Sequence, residues 1–186
     1  MNYITKIRTN TGSFGVDSYG WHRFLSEAFP GPQEPKRNFL YRVNFGPMGS
    51  LEVLVFSIKQ PNVLGWETKP IGPSYLAYSK YYFKLRANPT SMRSSGGRRA
   101  LNDDEFYDWI DRKSTEGGFQ LENVNINKLG HQGFINKKGV PGSHLAVEFS
   151  GVLVVVDKNK FSETFNSGIG SAKGYGFGML LLKPIQ

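Results

Sequence analysis

A glycine-rich stretch near the end of the chain carries the clearest chemical signal in the sequence. Residues 168–178 read Gly-Ile-Gly-Ser-Ala-Lys-Gly-Tyr-Gly-Phe-Gly, with five glycines around a single cation, Lys173. Glycine adopts positive φ and lets a ligand approach the backbone, and successive N–H groups in such a loop can bind an anion. A P-loop is excluded, because it follows a strand and reads Gly-Lys-Ser/Thr before a helix. The stretch predicts either an anion-binding loop or a tight turn before a core strand.

A second group of polar side chains lies on one face of a predicted helix near the start of the chain. Asp17 or Ser18 can cap this helix, which runs to about Phe29 before a Pro-Gly-Pro segment. At 100° per residue, four polar residues share the face opposite the apolar stripe: Tyr19, His22, Arg23 and Ser26. A lone histidine on a helix is most often a surface or packed residue. The helix alone therefore does not establish a site.

Positive charge is concentrated in the middle of this basic chain. The 186 residues carry a formal net charge of +8, which favours a polyanionic partner, and charge alone leaves a generically basic soluble protein as the alternative. Six cations and no acid lie between positions 79 and 100: Lys80, Lys84, Arg86, Arg93, Arg98 and Arg99. Five acids follow: Asp103, Asp104, Glu105, Asp108 and Asp111. The contrast predicts a phosphate-facing loop followed by a capped helix.

Cysteine is absent from the sequence. This excludes disulfides, thiolate zinc sites and cysteine nucleophiles, and it fits a reducing cytoplasm. The first residues alternate like a strand and lack the apolar region of a signal peptide. No segment approaches the roughly 18 apolar residues of a membrane span. We therefore expect a cytoplasmic protein without a membrane segment.

The positioning elements repeat one pattern in both halves of the chain. The first half predicts a strand, a helix and a hairpin, then an irregular Pro/Gly-rich segment and a short strand: 3–9, 17–29, 38–45 with 51–58, 60–74 and 75–79. The second half predicts a strand, a loop, a helix, two strands around a polar loop, and a helix: 80–87, 90–100, 102–113, 119–129, 130–143, 144–156 and 157–167. The last strand follows the glycine-rich stretch.

The pattern βαββαβ is typical of a ferredoxin-like, or RNA-recognition-like, domain with two helices on one face of a four-stranded antiparallel sheet. We predict an α+β protein with two tandem domains of this kind, 1–78 and 79–186. The first domain carries the helix with His22, and its second helix is reduced to the Pro/Gly-rich segment. The second domain carries the basic loop and the glycine-rich loop.

Five ordered motifs resemble one known family over nearly the whole length of the chain. They are the glycine-rich stretch with the following Met-Leu (168–180), Tyr-Gly-Trp-His (19–22), Arg-Asn-Phe-Leu-Tyr-Arg-Val (37–43), Phe-Lys-Leu-Arg-Ala-Asn-Pro (83–89) and Phe-Ser-Gly-Val-Leu (149–153). They resemble the repeat-associated RNA processing proteins of CRISPR systems. More narrowly, the chain is similar to the CasE type, the endoribonuclease subunit of type I-E Cascade.

The resemblance implies a metal-independent endoribonuclease that cleaves CRISPR precursor RNA within repeat hairpins. Attack by a 2′-hydroxyl would leave a 2′,3′-cyclic phosphate and a 5′-hydroxyl, and the guide RNA would stay bound for Cascade. His22 matches the family's catalytic histidine, which can give or take a proton near neutrality. Tyr19, one helical turn earlier, would orient the phosphate. Lys173 would stabilise the charge of the phosphorane.

The RNA-binding residues that the resemblance implies are Arg86, Arg93, Arg98, Arg99, Gly170 and Gly174. The expected partners are the repeat hairpin, the guide RNA and other Cascade subunits. We expect no small-molecule cofactor and no metal, because the acids from Asp103 onward suit the first turns of a helix. His131 and His144 are predicted to be structural.

Two other functions stay open at this point. A non-catalytic RNA-binding subunit of Cascade would have the same fold. The presence of the catalytic histidine of the family, His22, favours the enzyme instead. A generic protein with two RNA-recognition domains would need the aromatic RNP pattern, which the sequence lacks.

Overall fold

The chain forms two compact units in a computed structural model, which describes residues 2–10, 18–29, 38–136 and 138–186. Unit 1 comprises Met1–Gly72, Gly133–Gly142 and Lys173–Gly176. Unit 2 comprises Pro73–Gln132, Ser143–Ala172 and Phe177–Gln186. The limits 1–78 and 79–186 stay a prediction about domains. The compact units divide between residues 72 and 73, and two later segments, 133–142 and 173–176, belong to unit 1.

Unit 1 is built on a four-stranded sheet in the order β2-β3-β1-β4, with β1–β3, β1–β4 and β2–β3 antiparallel. Its elements are β1 (Asn2–Asn10), α1 (Ser18–Ala28), β2 (Phe39–Phe45), β3 (Ser50–Ser57) and β4 (Glu67–Ile71). The strands follow one another in the ferredoxin-like order. No helix lies between β3 and β4, a segment that the structure describes in full. This confirms the predicted loss of the second helix from the first domain.

The core of unit 1 forms because α1 and the sheet each have one apolar face. Trp21, Leu25 and Ala28 recur at helical spacing and are buried. Every second residue of β3, including Val53 and Val55, points to the same side and is also buried. These residues share one hydrophobic cluster, so the apolar stripe holds the helix on the sheet.

Unit 2 repeats the ferredoxin-like order with both helices present. Its elements are β5 (Lys80–Ala87), β6 (Thr90–Met92), β7 (Arg98–Ala100), α2 (Phe106–Glu116), β8 (Phe119–Ile135), β9 (Pro141–Val155), α3 (Lys158–Ser167) and β10 (Leu180–Pro184). The four-stranded sheet has the order β10-β5-β9-β8, and β6 pairs with β7 in a small hairpin. The predicted α+β class with two tandem ferredoxin-like folds is confirmed.

Three predicted segments differ from the structure. The last strand of unit 1 is β4, inside the segment predicted to be irregular, whereas a 3₁₀ turn at residues 73–76 takes in the first two residues of the predicted strand 75–79. The predicted loop 90–100 contains the β6–β7 hairpin. The predicted loop 130–143 mostly continues β8 and β9, which leaves a connection of only residues 136–140. Where strands form in segments predicted to be irregular or loops, pairing of backbone groups between strands overrides weak local propensity.

No helix in the described part of the chain is both long and apolar enough to cross a membrane.

Candidate active site

Helix α1 places His22 at the boundary between its buried and exposed faces. The neighbouring Trp21 is buried, while the His22 side chain is half-buried. The imidazole lies beside the ring of Phe39 on β2, with 5.9 Å between ring centroids. One turn later, the Ser26 hydroxyl donates a 2.7 Å hydrogen bond to the His22 carbonyl oxygen. Ser26 thus bonds the helix backbone, and His22 retains partial solvent access.

Two parts of the predicted helix lie outside the described residues. Tyr19 belongs to the first turn of α1, but its side chain is not among those that the structure describes. Asp17 and the Pro-Gly-Pro segment after the helix lie outside the described residues altogether. The role of Tyr19 therefore stays a prediction.

Lys173 begins a 3₁₀ turn, Lys173–Tyr175, inside the glycine-rich stretch. Its side chain is half-buried, and the next residue, Gly174, is buried. Ala172 immediately before the turn has a φ of 57°, a left-handed conformation that is uncommon without glycine. The backbone therefore reverses sharply just before the lysine.

The turn with Lys173 packs against helix α1 and strand β2 within unit 1. The Tyr41 hydroxyl on β2 donates a 2.9 Å hydrogen bond to the Gly174 carbonyl oxygen. The structure thus brings together the two elements that carry His22 and Lys173, although 151 positions separate these residues (173 − 22 = 151).

A third segment contacts the same turn. Phe134, at the end of β8 in the Gly133–Gly142 part of unit 1, lies against Tyr175 with 4.5 Å between ring centroids. A side chain at Gly142 would collide with Phe134, since a Cβ atom there would lie 2.5 Å from the ring. The contacts of Tyr41 and Phe134 were missed by sequence reasoning, because the only available signal was one aromatic residue in a predicted strand and another in a predicted polar loop.

The glycines named as RNA-binding residues each have a packing reason of their own. Gly170 has a φ of +83°, and a Cβ atom there would lie 3.1 Å from the Trp109 ring in unit 2. Gly174 is buried, and its carbonyl accepts the bond from Tyr41. Their contacts with RNA stay a prediction.

The four predicted RNA-binding arginines all lie in unit 2, in different environments. Arg93 and Arg98 are exposed. Arg93 directly follows β6, where its N–H donates to the Gly97 carbonyl oxygen, and Arg98 is the first residue of β7. Arg86 on β5 is half-buried and lies 3.8 Å from a carboxylate oxygen of Glu148. Arg93 and Arg98 thus present the more accessible guanidinium groups.

Arg99 is engaged within the protein. Its two terminal nitrogens donate to the two carboxylate oxygens of Glu105, at 2.8 and 2.5 Å. Glu105 also accepts from the backbone N–H of Asn102 and completes a capping box before α2. The bond from Arg99 lowers the pKa of Glu105 to about 2, so the carboxylate is charged at neutral pH. Arg99 therefore ties the β6–β7 hairpin to the start of α2, and its contact with RNA stays a prediction.

The other histidines lie in unit 2. His131 is exposed on β8. On β9, His144 Nδ1 lies 3.3 Å from the Asn88 amide nitrogen, and that amide also donates to the Ser171 hydroxyl at 3.2 Å. Burial lowers the pKa of His144, which favours its neutral form. His144 thus belongs to a polar network beneath the start of the glycine-rich stretch.

The first three acids that follow the basic segment lie at the start of α2, and two of them pair with other residues. Asp103, Asp104 and Glu105 form a 3₁₀ turn before α2, where negative charge is favourable. The Lys128 ammonium lies 2.6 Å from an Asp103 carboxylate oxygen. Among the described residues, no three His, Asp or Glu side chains group closely enough to hold a metal ion.

Two ferredoxin-like units, the first with a histidine-bearing helix against a lysine-bearing turn, define a tandem RNA-recognition-like protein. The chain is 29% identical over 212 residues to the CRISPR-associated endoribonuclease Cse3 of Thermus thermophilus, covering 98% of this chain and 100% of the relative. It is 28% identical over 204 residues to the CRISPR system Cascade subunit CasE of Escherichia coli K12, with the same coverage. The structure of Thermus thermophilus Cse3 bound to an RNA representing a pre-cleavage complex matches with a TM-score of 0.81 and 27% identity, over 98% of this chain and 99% of that one.

Residues 3–184 match the family described as CRISPR associated protein, and the chain belongs to this family. The resemblance to the CasE type, predicted from the sequence motifs, is confirmed.

Proposed function

We propose that the chain is a metal-independent endoribonuclease that cleaves CRISPR precursor RNA within repeat hairpins. One observation carries the proposal: α1 with His22 packs against the turn with Lys173 in a protein that matches a Cse3–RNA pre-cleavage complex over 98% of its length. The cleaved guide RNA stays bound and enters the Cascade surveillance complex. The protein acts in the cytoplasm, because a chain without cysteine has no disulfides and fits a reducing compartment.

The reaction requires proton transfer and charge stabilisation at one phosphate. The 2′-oxygen forms a bond to phosphorus, the bond from phosphorus to the 5′-oxygen breaks, and the products are a 2′,3′-cyclic phosphate and a 5′-hydroxyl. His22 transfers a proton at one of these two oxygens. Lys173 stabilises the additional negative charge on the phosphoryl oxygens. Tyr19 orients the phosphate through a hydrogen bond.

The test is cleavage of a labelled repeat hairpin in excess EDTA. We expect cleavage to continue, with products that end in a cyclic phosphate. A hairpin with a single 2′-deoxynucleotide before the scissile phosphate should bind equally well and stay intact, because it lacks the attacking hydroxyl. Loss of cleavage in EDTA, with recovery on adding Mg²⁺, would contradict the proposed mechanism. Binding of both RNAs without cleavage of either would favour a structural subunit.

The exposed arginines of the β6–β7 hairpin are proposed to contact RNA phosphates. Replacing Arg93 and Arg98 with alanine should weaken binding of the repeat hairpin and lower the slope of log affinity against log salt by about one for each arginine. Affinity measured at several salt concentrations tests this. Arg112→Ala removes one positive charge from an exposed position on α2 and should have little effect. An unchanged salt slope in the double variant would exclude these arginines as phosphate contacts.

A further inference from the structure

A buried hydrogen bond joins strand β2 to the turn that begins with Lys173. Tyr41 has no exposed surface, and its hydroxyl donates to the Gly174 carbonyl oxygen at 2.9 Å. Gly174 is itself buried. A buried carbonyl that loses its donor keeps the full cost of its desolvation. The turn is therefore stable in this position because Tyr41 supplies a donor there.

The turn has little regular structure of its own to hold it. It is three residues long, with Ala172 at a φ of 57° before it and Gly176 at a φ of 86° after it. A Cβ atom at Gly176 would lie 3.3 Å from the Tyr41 ring, closer than most such contacts. The backbone around Lys173 is thus fitted to the Tyr41 side chain in both polarity and shape.

Phe134 contacts Tyr175 in the same turn, but this contact differs in kind from the Tyr41 bond. An aromatic contact at 4.5 Å between ring centroids restricts the position of a side chain. The Tyr41 hydroxyl instead restrains the Gly174–Tyr175 peptide, which lies one residue beyond Lys173. A shift of that peptide moves Gly174 and, through it, the backbone from which the lysine side chain extends.

We propose that Tyr41 is a positioning residue that acts through Lys173. The inference rests on the proposed function, because it assigns Lys173 to the phosphate. Tyr41 itself does not touch RNA. Its hydroxyl holds the Gly174–Tyr175 peptide in place. The position of this peptide determines where the Lys173 ammonium lies relative to the helix with His22.

Tyr41→Phe removes only the hydroxyl and keeps the buried ring. We expect the single-turnover cleavage rate at saturating protein to fall on the order of 10- to 100-fold, because small displacements of a catalytic group have effects of this size. Affinity for the hairpin should stay within about twofold, as the phosphate-binding arginines are unchanged. In the Lys173→Ala background, the same substitution should cause no further loss, since coupled residues are non-additive.

Tyr81→Phe is the matched control. Tyr81 is also fully buried, and its hydroxyl donates to the Tyr75 carbonyl oxygen at 2.9 Å, but it lies in unit 2. The Tyr81 hydroxyl also accepts a 3.1 Å hydrogen bond from the Tyr78 N–H. Its loss should lower the melting temperature at least as much as Tyr41→Phe and leave the cleavage rate nearly unchanged. Equal slowing by both variants, or slowing by Tyr41→Phe in the Lys173→Ala background, would overturn the proposal.

Hydrogen exchange separates failure of this inference from failure of the proposed function. Tyr41→Phe should increase amide exchange in residues 173–176 by about tenfold, and Tyr81→Phe should leave it unchanged. If the wild type does not cleave RNA but Tyr41→Phe still increases exchange in the turn, the anchoring of the turn is supported and only the ribonuclease function is refuted. Unchanged exchange and unchanged cleavage would overturn the role of Tyr41.

Discussion

His22→Ala is expected to reduce the rate of repeat-hairpin cleavage by about 10²- to 10⁴-fold, the range typical of a lost general acid or base. The imidazole is half-buried beside Phe39, so it retains contact with solvent and can exchange protons. Alanine is a strong helix former, and α1 is held on the sheet by Trp21, Leu25 and Ala28 instead. The helix should therefore stay folded and hairpin affinity should change little.

The measurement for His22 is single-turnover cleavage in EDTA, paired with an affinity measurement. His131→Ala is the control of the same residue type, on an exposed position of β8, and should cleave at the wild-type rate. Cleavage by His22→Ala at a rate similar to that of the His131 variant would refute a catalytic role for His22. If the wild type also binds RNA without cleaving it, the chain is a structural subunit and both variants should bind normally.

Lys173→Ala is expected to reduce the cleavage rate by about 10²- to 10³-fold, a loss typical of removing one group that stabilises transition-state charge. The ammonium extends from a turn held by the Tyr41 hydrogen bond and the Phe134–Tyr175 contact, so alanine should leave the backbone in place. Lys173→Arg should recover part of the rate because it retains the positive charge. Recovery should be incomplete because the guanidinium has a different shape from the ammonium.

Single-turnover kinetics at saturating protein would measure the effect of Lys173→Ala on the chemical step alone. Lys183→Ala is its control, because it removes an identical charge from an exposed site on β10. Equal loss of rate in both variants would mean that general electrostatic attraction explains the effect. A loss of affinity with an unchanged cleavage rate would make Lys173 a binding residue instead of a catalytic one.

Local patterns in the sequence were sufficient for the main elements of the fold. The alternation in β3 and the helical spacing of Trp21, Leu25 and Ala28 reflect burial of one face, and burial is what the structure shows. A capped helix after the basic segment was also expected from the acids there, but the expectation for Arg99 considered only its charge. Six positions separate these two residues, and their pairing depends on how β7 approaches the start of α2.

The extensions of β8 and β9 were not predictable from periodicity. Residues 130–143 are polar and rich in glycine, which is typical of a loop. Strand pairing depends on backbone groups of a neighbouring segment, so a sequence with weak local preference can still form a long ladder. The short connection is closed by Asn136, whose side chain accepts hydrogen bonds from the N–H groups of Lys138 and Val140.

The sequence by itself determined the repeated βαββαβ pattern, the family and the candidate residues His22 and Lys173, because periodicity and motifs are properties of neighbouring positions. Only the tertiary structure decided that the turn with Lys173 packs on α1 and that Arg99 is paired with Glu105. It alone placed the Tyr41 hydroxyl on the Gly174 carbonyl. The physical reason is that a hydrogen bond between residues 133 positions apart forms through packing of the core and leaves no pattern in the local sequence.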